Sequence, residues 1–362
     1  MDTHKTIAIL CAMKQNITCL RASHRQVWVL TSLMLCGLLG LASMSLAVGD
    51  KWIRKTDMPT ARAGCVDFAV AVNGKIYVIG GVADGGLVSI PTVEVYDPAM
   101  DTWTKKTDMP RPRSLQAVSA VNGKIYAFGG SINPGNLNTS TVQEYDIATD
   151  TWAEKADMPT PTRALSASAV DGKIYVIGGV TTPLKVYMYD PAADTWTKKA
   201  DIPTPRCELS TCVVDGKIYA VGGLLWPAWT PTSAVEVYDP ATDTWTKKAD
   251  MPTPRGCFAT CVVDGKIYAI GGGVTGSGGV VYPTVEVYDP VEDEWTKGND
   301  LPFPIKWLGA CAVNGNIYVI GGTKGWPLVG LSTVLEYDAG FRYAVAPQGK
   351  LVTTWGKIKH SR

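Results

Sequence analysis

Six Gly-Gly pairs that each end an apolar run divide this chain: Gly80-Gly81, Gly129-Gly130, Gly178-Gly179, Gly222-Gly223, Gly271-Gly272 and Gly321-Gly322. They fall 49, 49, 44, 49 and 50 residues apart. Asp-x-Trp also occurs six times, but out of phase. Its first copy, Asp50 and Trp52, precedes every glycine pair, and no copy follows the last. Repeats of about 50 residues bury too little surface alone and must stack on their neighbours. A linear stack has no use for the offset, whereas a ring closed by pairing its two ends does. The 362 residues are therefore expected to form one ring rather than several domains.

The fifth repeat shows the pattern. Cys257 to Val263 reads as a first strand, Asp264-Gly265 as a tight turn, and Lys266 to Ile270 as a second strand ending on the glycine pair. Thr284 to Tyr288 reads as a third, Asp289 to Asp293 as a turn, and Glu294 to Lys297 as a fourth. Asx-Gly suits a hairpin because both residues tolerate positive φ, and it recurs from Asn73-Gly74 to Asn314-Gly315. The second strands, such as Ile76-Tyr77-Val78-Ile79, are apolar on both faces, so both must be covered. Glycines here serve close backbone approach or positive φ. A phosphate-binding reading fails because no helix follows them.

These marks resemble the kelch repeat family. The paired glycines after an apolar strand match, as do the Val-Glu-Val-Tyr-Asp strands at Val93 to Asp97, Val235 to Asp239 and Val285 to Asp289, and the tryptophan after each. The resemblance covers about residues 50 to 338 and implies an all-β, six-bladed propeller of four-stranded antiparallel blades. Two departures stand out: Val142-Gln143-Glu144-Tyr145 shifts the glutamate, and the sixth repeat lacks Asp-x-Trp. Blade six is therefore expected to take three strands from Trp307 to Asp338 and its fourth from Asp50 to Lys55. Phe341-Arg342-Tyr343 is the rival source.

Residues 1–47 differ from the rest. Lys14, Arg21 and Arg25 precede an apolar run from Val27 to Val48 that ends on Ser45-Leu46-Ala47. This reads as a signal peptide cleaved before Val48, or as a signal anchor, with Met13 an alternative start to Met1. Either implies export, to a periplasm, cell surface or extracellular space. A membrane is expected to matter only through an uncleaved leader. Formal charge is +1, and −2 (30 basic against 32 acidic residues) once the leader departs, which argues against nucleic acid. The expected domains are 1–47, the repeats over 48–338, and a basic tail over 339–362 with no assigned role.

Strand order sorts the connections onto two faces. First-to-second and third-to-fourth turns share one, and are short and alike in every repeat. The second-to-third connections on the other vary: 82–91, 131–141, 180–184, 224–234, 273–283 and 323–332. Loops on a rigid scaffold carry function, so this is the expected binding face. Trp226, Trp229, Tyr282, Trp307 and Trp326 decorate it and either stack on sugars, anchor a protein, or pack on one another. Arg62, Arg111, Arg113, Arg163, Arg206, Arg255 and Lys306 follow each corner. Arg113, Arg206 and Arg255 are candidate grips for a carboxylate. The alternative is internal pairing with Glu94, Glu236 or Glu286. Glu208 alone brings a carboxylate to a column otherwise holding Leu115, Ala164, Cys257 and Trp307. It forms an acid–base pair with Arg206 or sits solvated at the channel mouth.

No histidine lies between Met44 and Lys359, which removes most hydrolytic triads and copper-oxidase ligands. No metal and no cofactor is expected, and Asp-Pro-x-x-Asp segments read as turns. Cys212, Cys261 and Cys311 recur three residues before Asx-Gly and read as buried free thiols. The expectation is an exported, non-enzymatic propeller binding a protein or glycan. The enzymatic alternative, by resemblance in architecture and corners, is an N-acetylneuraminate epimerase-like sugar-acid mutarotase using Glu208 and Arg206.

Overall fold

A computed structural model describes residues 52–64, 68–83, 88–132, 137–274, 279–325 and 327–339. The chain divides into two units, Met1–Ala47 and Val48–Arg362. The leader, Phe341-Arg342-Tyr343, Cys65, Trp326 and the tail beyond Ala339 lie outside the described residues. Among those described there is no α-helix, and so none long and apolar enough to cross a membrane.

The described residues form six four-stranded antiparallel sheets, numbered here by repeat, along with short hairpins. Sheet five is typical: Ala259–Val263, Lys266–Ile270, Val285–Asp289 and Glu294–Lys297 lie in sequence order. Sheet six takes Gly309–Val313, Asn316–Ile320 and Val334–Asp338. Its outer strand is Trp52–Arg54 from the other end of the chain, with Trp52 opposite Tyr337 and Arg54 opposite Leu335. The first strands of all six sheets line one cavity of about 400 Å³, walled by small side chains such as Ala71, Ala120, Ala169 and Ala312. Two expected boundaries move. First strands begin at Ala259 and Gly309, not at Cys257 and Trp307, because those two residues have φ of 57° and 56°. Positive φ breaks a strand.

Second strands are buried on both faces, as their composition requires: Ile76, Val78 and Ile79 are at 0% exposure. Each face meets a different neighbouring sheet. Val221 and Val235 of sheet four pack with Phe258, Ile267 and Tyr288 of sheet five in one cluster. Burying each such side chain contributes about 1.5–3 kcal/mol, so the stacking of sheets dominates stability.

The two repeated marks turn out to be inter-sheet contacts. Every tryptophan of Asp-x-Trp donates its indole N–H to a carbonyl just past the preceding outer strand. Trp103 reaches Thr56 and Trp295 reaches Ala249, each at 3.0 Å. Trp52 reaches the Asn299 carbonyl at 3.0 Å in the same way. The aspartate accepts the amide of that same residue, as Asp101 does from Thr56 and Asp293 from Ala249, both at 2.9 Å. A tyrosine from the third strand completes the clasp, with the Tyr96 hydroxyl 2.6 Å from Asp101. The glycine pairs act nearer the cavity. Gly272 donates to the Ile305 carbonyl of the next sheet at 2.8 Å, and a Cβ on Gly271 would lie 2.6 Å from that oxygen. Gly322 meets the Arg62 carbonyl at 3.0 Å, joining sheet six to the start of the repeats. Both glycines of each pair also have positive φ. Side chains are excluded there on two counts.

Candidate functional site

Two residues before the first strands of sheets two to six, the chain takes positive φ at Leu115, Ala164, Glu208, Cys257 and Trp307. Their amides and carbonyls link successive sheets: Ala164 donates to Leu115, Glu208 to Ala164, Cys257 to Glu208, and Trp307 to Cys257, at 2.8 to 3.2 Å. Gly64 continues the series by donating to Trp307 at 3.1 Å. This column crosses the cavity's end on the variable-loop side, because first strands run from that face towards the Asx-Gly turns. Glu208 sits in it at 5% exposure, which corrects the expectation of a solvated carboxylate. Its carboxylate accepts a hydrogen bond from the Cys257 thiol. Burial pushes the neighbouring Cys207 thiol up, helped by the charge of Glu208.

The arginines are scaffold, which corrects the carboxylate-grip expectation for Arg113, Arg206 and Arg255. All are at 0% exposure. Arg255 meets Glu286 at 2.8 Å and the Ala269 carbonyl at 3.0 Å. Arg113 donates to the Thr141 carbonyl at 2.8 Å and to Gln143 at 2.6 Å. Arg206 is 3.0 Å from Glu236 as an ion pair, while its protons go to the Ala220 and Ala234 carbonyls. It is therefore not available as the expected partner of Glu208, whose positive φ breaks the strand alternation that the pairing assumed. Burial lowers the Arg113 and Arg206 guanidiniums to about 10.

A signal for this role was present in the sequence. The arginine column reads Arg62, Arg113, Thr162, Arg206, Arg255, Ile305, and the column it meets reads Glu94, Gln143, Tyr187, Glu236, Glu286, Leu335. Where the arginine is absent, so is the acid or amide. Arg163 and Lys306 stand one residue later and point elsewhere, Arg163 to Asn138 at 3.0 Å and Lys306 to the Val274 carbonyl at 3.1 Å.

The aromatic candidates do not converge. Trp226 and Trp229 meet edge to face at 5.1 Å and pack on Ala164, Val180, Cys207 and Leu224, yet both stay half-buried. Tyr282 is half-buried in sheet five's loop. Trp307 is half-buried in the inner column, with the Lys306 amine 6.0 Å from its ring centre. Trp326 lies outside the described residues.

Apolar exposure is the feature that motif reading passed over. Eight large apolar side chains are exposed among the described residues, and five of them, Val88, Leu137, Leu184, Val280 and Val329, sit on the variable connections. They fall one per sheet in sheets one, two, three, five and six, and the half-buried tryptophans take that place in sheet four. Those six connections hold one acidic residue, Asp84, and one basic residue, Lys324. Charges gather outside them, where fourth strands end in Arg54–Asp57, Lys105–Asp108, Lys198–Asp201, Lys247–Asp250 and Lys297–Asp300 pairs. An apolar centre inside a polar rim is the anatomy of a protein interface.

Repeated four-stranded antiparallel sheets, stacked face to face around one cavity, define a β-propeller type of repeat protein. Residues 48–223 and 155–322 match the family described as KLHDC2/KLHL20/DRC7 Kelch-repeats domain, and 308–340 match the Kelch motif. The chain belongs to the kelch-repeat family. Beta-scruin of Limulus polyphemus is 45% identical over 69 residues, 19% of this chain and 7% of that protein. F-box/kelch-repeat protein At1g67480 of Arabidopsis thaliana is 45% identical over 65 residues, 18% of this chain and 16% of that protein. The matched segments thus span only a small part of either relative. The solved structure of YjhT superposes with a TM-score of 0.67 at 16% identity, covering 78% of this chain and 96% of that one, a likeness of fold.

Proposed function

We propose that this chain is an exported, non-enzymatic kelch propeller of six blades, closed by its N-terminal strand, that binds a partner protein on the variable-loop face. The observation that carries the binding reading is the set of five exposed apolar side chains on that one face, inside a rim of ion pairs. Protein interfaces place apolar side chains inside a polar rim in this way. A neutral glycan stacked on Trp226 and Trp229 is the narrower use of the same face.

Photo-crosslinking residues placed at Val88, Leu137, Leu184, Val280 and Val329 in the producing cells test the reading. Discrete adducts are expected there and not from Met100 or Val291, which are exposed on the opposite turns. Equal yields from both faces would overturn it. Closure is tested by deleting Asp50–Lys55, which should lower the denaturant midpoint of the whole domain; an unchanged midpoint refutes the seam. Export predicts mature protein outside the cytoplasm beginning at Val48.

One observation keeps the sugar-acid alternative in play: Glu208 is the carboxylate of the inner column. Acceleration of N-acetylneuraminate anomerisation by the wild type, lost in Glu208→Gln, would support it, and no acceleration removes it.

A further inference from the structure

Lys306 is the buried cation that the scaffold does not match with an acid. It stands at 4% exposure, and among the described residues no carboxylate pairs with it. Its amine donates to the Val274 carbonyl at 3.1 Å and lies 6.0 Å from the centre of the Trp307 ring. The buried arginines differ: Arg62, Arg206 and Arg255 each face a glutamate, and Arg113 faces an amide. In sheet six the position that supplies those partners holds Leu335. The surrounding sequence supplies no substitute. Residues 301–335, which run from the sheet-six corner to that leucine, contain no Asp and no Glu, and neither do residues 273–285, which include Val274.

Trp307 brings a second donor. Its indole N–H is buried and meets no acceptor among the described residues. Both side chains hang from fixed backbone. The Lys306 amide donates to Thr323 at 2.9 Å and the Thr323 amide returns to Lys306 at 2.8 Å, while Trp307 donates to Cys257 at 2.8 Å and accepts from Gly64 at 3.1 Å. A buried ammonium without a counter-charge is costly, and so is a buried N–H without an acceptor. One kind of ligand relieves both. Water would accept from the indole but would leave the ammonium uncompensated, whereas an anion does the two things together.

We propose that Lys306 and Trp307 form an internal site for a small inorganic monovalent anion of the chloride class. A monatomic anion accepts from any direction and needs little room, so it suits donors this buried; a carboxylate would have to bring its own chain in with it. Bound there, the ion joins the sheet-five connection at Val274 to the inner column at Trp307 through the Lys306 amine. Its expected role is to stabilise the folded domain, and it is independent of what the variable face binds.

The test follows thermal melting of the full chain as sodium chloride replaces sodium gluconate at constant ionic strength and fixed scan rate. The wild-type melting temperature should rise by about 2 °C or more for each tenfold increase in chloride once the site begins to fill. Lys306→Met, which keeps an unbranched apolar stem, should lose that slope, and Trp307→Phe, which keeps a ring without the N–H, should reduce it. No slope in the wild type, or the same slope in Lys306→Met, overturns the site. Should the Met variant fail to fold, wild-type crystals grown in sodium bromide decide the matter. An anomalous bromide peak beside the Lys306 amine supports the proposal, and its absence overturns it.

Discussion

The two faces of this molecule are built from the same strands and differ in almost everything else. On the face of Asx-Gly and Asp-Pro turns, charge is abundant and repeated. Lys75 meets Asp97, Lys217 meets Asp239 and Lys266 meets Asp289, at 2.9 to 3.0 Å. Below them the aspartates of the clasps accept tyrosine hydroxyls and neighbouring amides. On the other face, the second-to-third connections vary in length and are nearly free of charge. The repeated face satisfies itself, and the variable face is left to meet something else. Repetition here marks parts that hold sheets together, which is why the repeated arginines proved internal.

The comparison can be broken most forcefully at a repeated position. Glu286→Ala strands Arg255 as a buried, unpaired charge and should cost about 3–5 kcal/mol in denaturant unfolding. The double change Arg255→Ile with Glu286→Leu copies the Ile305 and Leu335 pair of sheet six and should recover most of that loss. A double variant no more stable than the single one would contradict the scaffold role.

Removing one clasp is a smaller perturbation. Trp245→Phe deletes the indole donor to the Ala200 carbonyl, at 3.0 Å, and should cost about 1 kcal/mol by the same measurement. The clasps also set an acid limit. The Tyr238 and Tyr288 hydroxyls and the Ala200 and Ala249 amides hold Asp243 and Asp293 below the ordinary carboxylate value. A lowered folded value means that the stabilisation is complete above the unfolded value of about 3.9 and is lost as pH falls through the folded one. Thermal melts should therefore be level from neutral pH down to about 5 and fall steeply below about 4. Asp243→Asn should blunt that fall.

The variable face should respond least in stability and most in binding. Val280→Asp, at a side chain 55% exposed, should change unfolding by no more than about 0.5 kcal/mol. The same change should reduce partner crosslinking from the neighbouring positions. A stability loss as large as that of the clasp variant would show that Val280 packs inward.

Most of the fold was legible because period and spacing carry it. Positive φ at the glycine pairs, the hairpin turns and the doubly apolar second strands all follow from local chemistry. So does the pairing of Trp52–Arg54 with Val334–Asp338, since the offset of Asp-x-Trp from the glycines leaves those strands without other partners. The site was less legible. Glu208 and Arg206 read as neighbours on one side of a strand, but φ of 51° at Glu208 takes it out of the strand. Trp226 and Trp229 were visible as aromatics, but not the cluster of Ala164, Val180, Cys207 and Leu224 on which they pack.

What the sequence by itself determined is the module: its strands, its turns, its count, and the need of each for a neighbour. Those follow from interactions within about 50 residues, which periodicity records. Only the tertiary structure decided where charge and aromatic surface go. The guanidinium of Arg255 finds Glu286 on the third strand, and Trp226 and Trp229 join the cluster of Ala164, Val180, Cys207 and Leu224. The matched arginine and acid columns hint at such a pairing, but whether a polar side chain faces a ligand or a carbonyl is settled by burial, which only the folded sheets show.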